Sequence, residues 1–278
     1  MEISTFKKDF CKLYGGDESN VKVYFAPGRV NLIGEHVDYN GGFVFPCALS
    51  FGTYLAARKN NDNKVRFATL NFDFKAEISL ADLSKKVDGK WINYPMGVID
   101  QFAKRGIQLT VGLDLLFFGN VPNGAGLSSS ASVEVVTATM FNDIFACGLG
   151  MVDLVKMSQK AENQFVGVNC GIMDQFASGM GKKEHAIFLN CDTLEYELVP
   201  VKLKGAKLII ANTNKRRGLA DSKYNERRSE CDKAVEYISK VKPIKVLGEL
   251  TLAEFETLKK AIPEPIVVRR AAHVIRCV

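Results

Sequence analysis

The chain predicts an α+β fold, and three observations predict it. Strand-like alternation dominates the first third, the later segments mix strand and helix periodicities without βαβα regularity, and no internal repeat or linker breaks the 278 residues. That length suits one large domain or two ordinary ones. The expected division is residues 1–165, carrying two glycine-punctuated polar segments, and residues 166–278.

Residues 1–16 (MEISTFKKDFCKLYGG) alternate charge with bulky apolar side chains. Phe6, Phe10 and Leu13 fall on one stripe, which reads as an amphipathic surface helix and not as a secretion signal. Residues 21–26 (VKVYFA) alternate like a strand, 43–58 read as one or two β segments, and 65–70 and 74–80 as further short strands. Residues 91–105 carry apolar side chains at helical spacing, and 109–118 (LTVGLDLLFF) form an apolar strand ending at Gly119. Helices are predicted over 128–145 and 151–165, a hairpin over 186–189 and 195–201, a buried strand over 207–211 (KLIIA), and a long charged helix over 220–241.

Composition narrows the function classes. A hydrophobic fraction of 47% and a charged fraction of 24% belong to a globular chain, and no apolar run approaches the ~20 residues of a membrane span. The net charge of +6 is scattered. Its densest part, Lys215, Arg216 and Arg217, is followed by Asp221 and the mixed cluster Glu226, Arg227, Arg228 and Glu230, a solvated helix face in preference to a nucleic-acid surface. Mild positive charge suits a polyphosphate ligand. Seven cysteines without a CxxC pair indicate free thiols in a reducing compartment, so a cytoplasmic location is expected. Three histidines leave no room for a multi-histidine metal site.

Two segments carry chemistry. Residues 122–132 (PNGAGLSSSAS) lie between a predicted strand and a predicted helix. Gly124 and Gly126 let a phosphate approach backbone amides, and the helix starting near Ser128 presents unpaired N–H groups and a positive dipole end. The hydroxyls of Ser128, Ser129 and Ser130 can cap the helix, bind phosphate oxygen or ligate Mg²⁺. No lysine follows the last glycine, so this is not a Walker A loop, and a serine at the third glycine position excludes a dinucleotide fingerprint. Such a helix start by itself is more often ordinary capping. Residues 27–42 (PGRVNLIGEHVDYNGG) pack Arg29, Glu35, His36 and Asp38 among small turn residues, and carboxylate and imidazole groups in a loop suit the hydrogen bonding of a sugar's hydroxyls.

PxGxGLSSSAS resembles the second motif of the GHMP small-molecule kinases, which hold ATP at a helix start without a Walker lysine. GRxNLIGEHxDY, matched at every fixed position by residues 28–39, is similar to the galactokinase signature. The resemblance runs in family order from about residue 20 to about residue 275. It implies a two-domain GHMP-kinase-like fold, with the active site between the domains, that phosphorylates the anomeric hydroxyl of galactose with ATP and Mg²⁺. Glu35, His36 and Asp38 would contact the sugar, with Arg29 at the reacting centre. In residues 169–178 (NCGIMDQFAS) it implies that Asp174 is the catalytic acidic residue, as base or as orienting group, and that Gly171 lines the sugar site. Glu162 would ligate Mg²⁺ with Ser130, and Tyr224, in residues 211–226, would contact the sugar. ATP would be held by Gly124, Ala125, Gly126, Leu127, Ser128, Ser129 and Ser130, with Thr69 and Trp91. Trp91 and Tyr94, in WxNY, either flank the adenine or form a helix packing face.

The expected ligands are galactose and ATP, with no nucleic-acid, membrane or protein partner. The family's third glycine-rich motif is not found, and Arg276 to Val278 depart from the RRAxHVxxEN pattern, so the second domain is expected to be incomplete. The same residues leave open a related sugar kinase, a sugar and ATP sensor without turnover, and an inactive fragment.

Overall fold

The computed structural model describes residues 1–122, 124–212 and 222–278. Five strands form the larger sheet: β1 (Lys22–Asn31), β3 (Pro46–Asn60), β4 (Lys64–Thr69), β5 (Lys75–Ser79) and β6 (Gly112–Gly119), in the order β1-β3-β6-β4-β5. β4 and β6 run parallel and the other pairs antiparallel. One face is covered by α1 (Ile3–Tyr14), whose Phe6 and Phe10 bury against Ala56, Ala68 and Leu116. The other face is covered by α2 (Asn93–Lys104), α3 (Ser129–Ile144) and α4 (Met151–Lys160), with Leu55, Phe67, Phe102, Leu115 and Phe141 in the core. Central β6 is therefore apolar on both faces apart from Asp114, whose buried carboxylate accepts from Arg58, Arg66 and Asn60 at 2.8–2.9 Å. A buried charge survives only when paired in this way.

A second core surrounds the three-stranded sheet β2-β7-β8: β2 (Phe43–Val44), β7 (His185–Asn190) and β8 (Tyr196–Pro200). α5 (Met173–Met180), α6 (Ser222–Ser239), α7 (Leu252–Leu258) and α8 (Pro265–Cys277) complete it, around Phe176, Ile187, Leu189, Ile238, Phe255 and Val274. Val37, Tyr39 and Val44 belong to this core although they lie early in the chain. The polar segment between β1 and β3 thus crosses from one core to the other.

Three sequence expectations need correction. β1 runs on to Asn31, into the polar segment, because β3 is long enough to keep pairing with it past a bulge between Pro27 and Arg29. The helix expected over 151–165 changes to a π-helical turn at Ala161–Val166. Residues 207–211, expected as a buried strand, lie in no strand, and Ile209 is 86% exposed. An apolar run becomes a strand only where a neighbour supplies ladder partners, and β8 pairs only with β7 among the described residues. Residues 220 and 221 of the expected long helix, and Lys215, Arg216 and Arg217, lie outside the described residues. No helix among the described residues is long and apolar enough to cross a membrane.

Candidate active site

The bulge in β1 builds the centre of the site. Gly28 has no room for a side chain, because a Cβ there would stand 2.7 Å from the carbonyl oxygen of Leu127. Bulges re-aim the side chain beside them, and here Arg29 turns toward the start of α5. Its Nε donates to Oδ1 of Asp174 at 2.8 Å, and Nη2 reaches the same oxygen at 2.6 Å. Nη1 donates to the Gly126 carbonyl at 2.8 Å, and the Arg29 backbone N–H donates to Leu127 O at 3.2 Å. One arginine therefore ties the acidic residue of α5 to the glycine turn.

The glycine turn leads from β6 into α3. Gly124 and Gly126 have φ of 69° and 72°, and no atom of the described residues lies within 4 Å of a Cβ built on either. Their need for glycine is conformational. Asn123 of this turn lies outside the described residues. Ser128 precedes α3 in the left-handed conformation (φ 59°), rare for serine, and makes no capping bond. Its hydroxyl instead donates to Oδ2 of Asp174 at 2.6 Å. Both oxygens of Asp174 are thus fixed. Ser129 is exposed and Ser130 half-buried at the first turn of α3, where the N–H groups remain open to an anion.

Asp38 approaches from the polar segment. A Cβ at Gly171 would overlap its carboxylate, so glycine at 171 is what admits Asp38. Burial, then the negative charge of Asp174, pushes the Asp38 carboxyl up to about 7, against the opposing pull of Arg29. His36, with φ 63°, pairs through Nδ1 with the Tyr39 hydroxyl at 2.9 Å and lies 5.8 Å from the Tyr224 ring. Burial, then Arg227, lowers its pKa, favouring the neutral imidazole. Glu35 is exposed and accepts from Asn31 Nδ2 at 2.8 Å, while its carbonyl contacts His273 Nε2 at 3.1 Å. Arg29, Asp38, Gly171, Asp174 and Ser128 thus converge, and His36, Tyr39 and Tyr224 form an aromatic wall on the side of the second core.

Two further residues sit apart from this centre. Thr69 ends β4 opposite Phe117, and its hydroxyl engages Asn71. Trp91 packs edge-on against Phe117 (5.1 Å) and Phe74 (5.7 Å), and its indole N–H has no partner among the described residues. Both flank the end of β6 from which the glycine turn departs.

Behind Asp174 lies an acidic cluster only partly visible in the sequence. The π turn at Ala161–Val166 changes the helix phase so that consecutive side chains face inward. Glu162 meets Ser130, Cys170 and Gln175, while Asn163 accepts from the Cys170 N–H at 2.9 Å. Glu134 on α3 is fully buried, and Gln175 Nε2 donates to Glu134 Oε2 (3.0 Å) and to Glu162 Oε2 (2.6 Å). Burial raises both glutamates. Sequence reasoning passed over Glu134 and Gln175. The available signal was a lone charged residue in the otherwise uncharged run 129–141, one helical turn after Ser130.

A mixed sheet feeding a glycine-serine turn into a helix N-terminus, with an acidic residue of a neighbouring helix held beside it, is the arrangement of a GHMP kinase. The family model of the GHMP kinases N terminal domain matches residues 93–182, and that of the galactokinase galactose-binding signature matches residues 8–59. The galactokinase of Clostridium acetobutylicum is 58% identical over 91% of this chain and 66% of its own length, and that of Clostridium beijerinckii 54% identical over 98% and 70%. The structure of Lactococcus lactis galactokinase complexed with galactose has a TM-score of 0.95 at 40% identity, covering 99% of this chain and 71% of its own. Methanococcus jannaschii mevalonate kinase, at 16% identity and TM-score 0.56, shares the fold. The chain belongs to the galactokinase family. It spans about two thirds to seven tenths of the length of these galactokinases.

Proposed function

We propose that this chain transfers the γ-phosphoryl group of ATP to the anomeric hydroxyl of galactose. The observation that carries the reading is the double clamp on Asp174, held by Arg29 on one oxygen and Ser128 on the other, beside the glycine turn and facing Asp38. Asp174 Oδ2 retains a lone pair for the anomeric O–H and takes its proton as the new O–P bond forms. The bond from the γ-phosphorus to the bridging oxygen breaks, and its electron pair leaves with ADP. Arg29 holds the carboxylate in place and puts positive charge beside the transferring group. The amides of the glycine turn and the N-terminus of α3 receive the phosphates. Asp38, with Glu35, His36 and Tyr224 around it, selects and orients the sugar, and Trp91 and Thr69 lie on the nucleotide side. The ligands converge between a domain of residues 1–165 and one of residues 166–278, with residues 37–44 crossing into the latter.

Ser130 and Glu162 offer hard oxygen donors, and no cationic side chain pairs with Glu162 among the described residues. This donor set fits Mg²⁺, which prefers a few hard oxygens and keeps waters. Bound there, the ion supplies charge neutralisation for the phosphates. The cytoplasmic assignment rests on the seven unpaired cysteines. Asp174→Ala is expected to abolish galactose-dependent ADP release while the non-hydrolysable analogue AMP-PNP still binds. Undiminished turnover by this variant would overturn the reading.

A further inference from the structure

Glu134 is the buried titratable group that the mechanism above leaves without a task. It is 0% exposed on α3, and Oε1 has no hydrogen-bond donor among the described residues. Gln175 is equally buried, and its Oε1 is also without a partner among the described residues. Unpartnered buried polar atoms carry an uncompensated desolvation cost, and replacing such groups by apolar ones of similar shape is often neutral or stabilising. A cluster that the fold alone would not favour calls for a functional account.

The geometry supplies one. Ser130 and Glu134 stand one helical turn apart on α3, so they share a face. Gln175 directly follows Asp174 on α5 and spends its amide donors on Glu134 (3.0 Å) and Glu162 (2.6 Å). Glu134 anchors the amide, the anchored amide fixes one oxygen of Glu162, and the two carboxyl groups also meet directly. Cys170 adds a thiol contact to that same oxygen at 3.6 Å, and Ser130 also bonds the carboxylate. We propose that Glu134 is a positioning residue that acts through Gln175 to hold Glu162 in the pose in which, with Ser130, it receives the divalent cation of the nucleotide. The proposal rests on the Mg²⁺ reading given above. Groups that orient a metal-binding side chain typically contribute about 10- to 100-fold to metal affinity.

The test is AMP-PNP binding by calorimetry, with Mg²⁺ titrated at fixed analogue, alongside thermal melts without metal. Glu134→Leu fills the same space without the acceptor. It is expected to raise the Mg²⁺ concentration for half-maximal analogue binding about 10-fold, while the metal-free melting temperature holds or rises. Glu134→Gln keeps an acceptor for Gln175 and is expected to stay within about twofold of the parent, a rescue that simple packing would not require. Gln175→Leu should match Glu134→Leu, and the double variant should be no worse than either single one. An unchanged Mg²⁺ requirement in Glu134→Leu, or losses that add in the double variant, would overturn the proposal. Glu162→Gln separates the two readings: if it leaves the Mg²⁺ requirement unmoved, the metal reading and this proposal fall together. If Glu162→Gln shifts the requirement and Glu134→Leu does not, only the positioning role falls.

Discussion

Two acidic sites meet at the start of α5 and are stabilised in opposite ways. Asp174 faces a guanidinium and a hydroxyl that fix both of its oxygens. One residue further along, Gln175 touches Glu134 and Glu162, which have each other, an amide, a thiol and a hydroxyl for company and no cationic side chain among the described residues. The compensated carboxylate is preorganised before any ligand arrives. The uncompensated pair is costly by itself and gains from a cation brought with the nucleotide. Adjacent residues of one helix can thus serve opposite electrostatic tasks, because successive side chains leave it about 100° apart and meet different neighbours.

The most severe way to break this contrast is to remove the compensation. Arg29→Met leaves Asp174 beside Asp38 without a positive charge, and activity is expected to fall about 100- to 1000-fold, the loss typical of a transition-state charge stabiliser. Stability should fall by up to ~3 kcal/mol, the low end for a broken buried ion pair, since Asp174 is 26% exposed. Steady-state ADP release and urea melts measure both, and an active, equally stable variant would remove the contrast.

A smaller effect is expected from Gly171→Ala, whose methyl group displaces the Asp38 carboxylate. Galactose affinity should drop about 10- to 100-fold, the worth of a hydrogen bond to a charged group, with AMP-PNP affinity unchanged in calorimetry. Equal losses for both ligands would show that the two halves of the site are not separable. Ser128→Gly removes the hydroxyl that holds Asp174 and relaxes the left-handed backbone. We expect kcat to fall about 10-fold with stability changed by less than about 1 kcal/mol. If nucleotide affinity falls in place of kcat, Ser128 serves the phosphates directly.

The smallest effect is the pH dependence of stability. The folded-state pKa of Asp38 is raised to about 7 from its ordinary value of 3.8, so the native chain holds a proton that the unfolded chain has released. That contribution is complete at the bottom of the window and lost as pH climbs from about 4 through about 7. The buried glutamates act with the same sign. Ligand-free urea melts at pH 5 and pH 8 should show greater stability at pH 5, and Asp38→Asn should narrow the gap. A gap unaltered by Asp38→Asn would assign the whole dependence to the glutamate pair.

Local order determined much of this protein. The alternation of residues 65–70 and 74–80, the helical spacing of 91–105 and the strand-turn-helix of 112–144 were all legible, because hydrophobic period and turn chemistry are local properties. The ordered motifs GRVNLIGEHVDY and GAGLSSSAS named the family for the same reason: a long run of fixed residues carries its own constraint. What the tertiary structure decided is everything that depends on a partner distant in the chain. The run 207–211 looked as strand-like as 113–118, yet only the latter meets neighbouring strands, since ladder hydrogen bonds need a second backbone. Glu134 looked like one more polar residue on a helix until folding brought it beside Gln175, 41 positions away. Ser128 could cap the helix, bind phosphate or ligate a metal by its sequence, and only the structure turned its backbone left-handed and aimed its hydroxyl at Asp174. Periodicity tells which face of a helix is buried, but which charges meet there is settled by packing, since desolvation and Coulomb attraction act over ångströms of space and not along the chain.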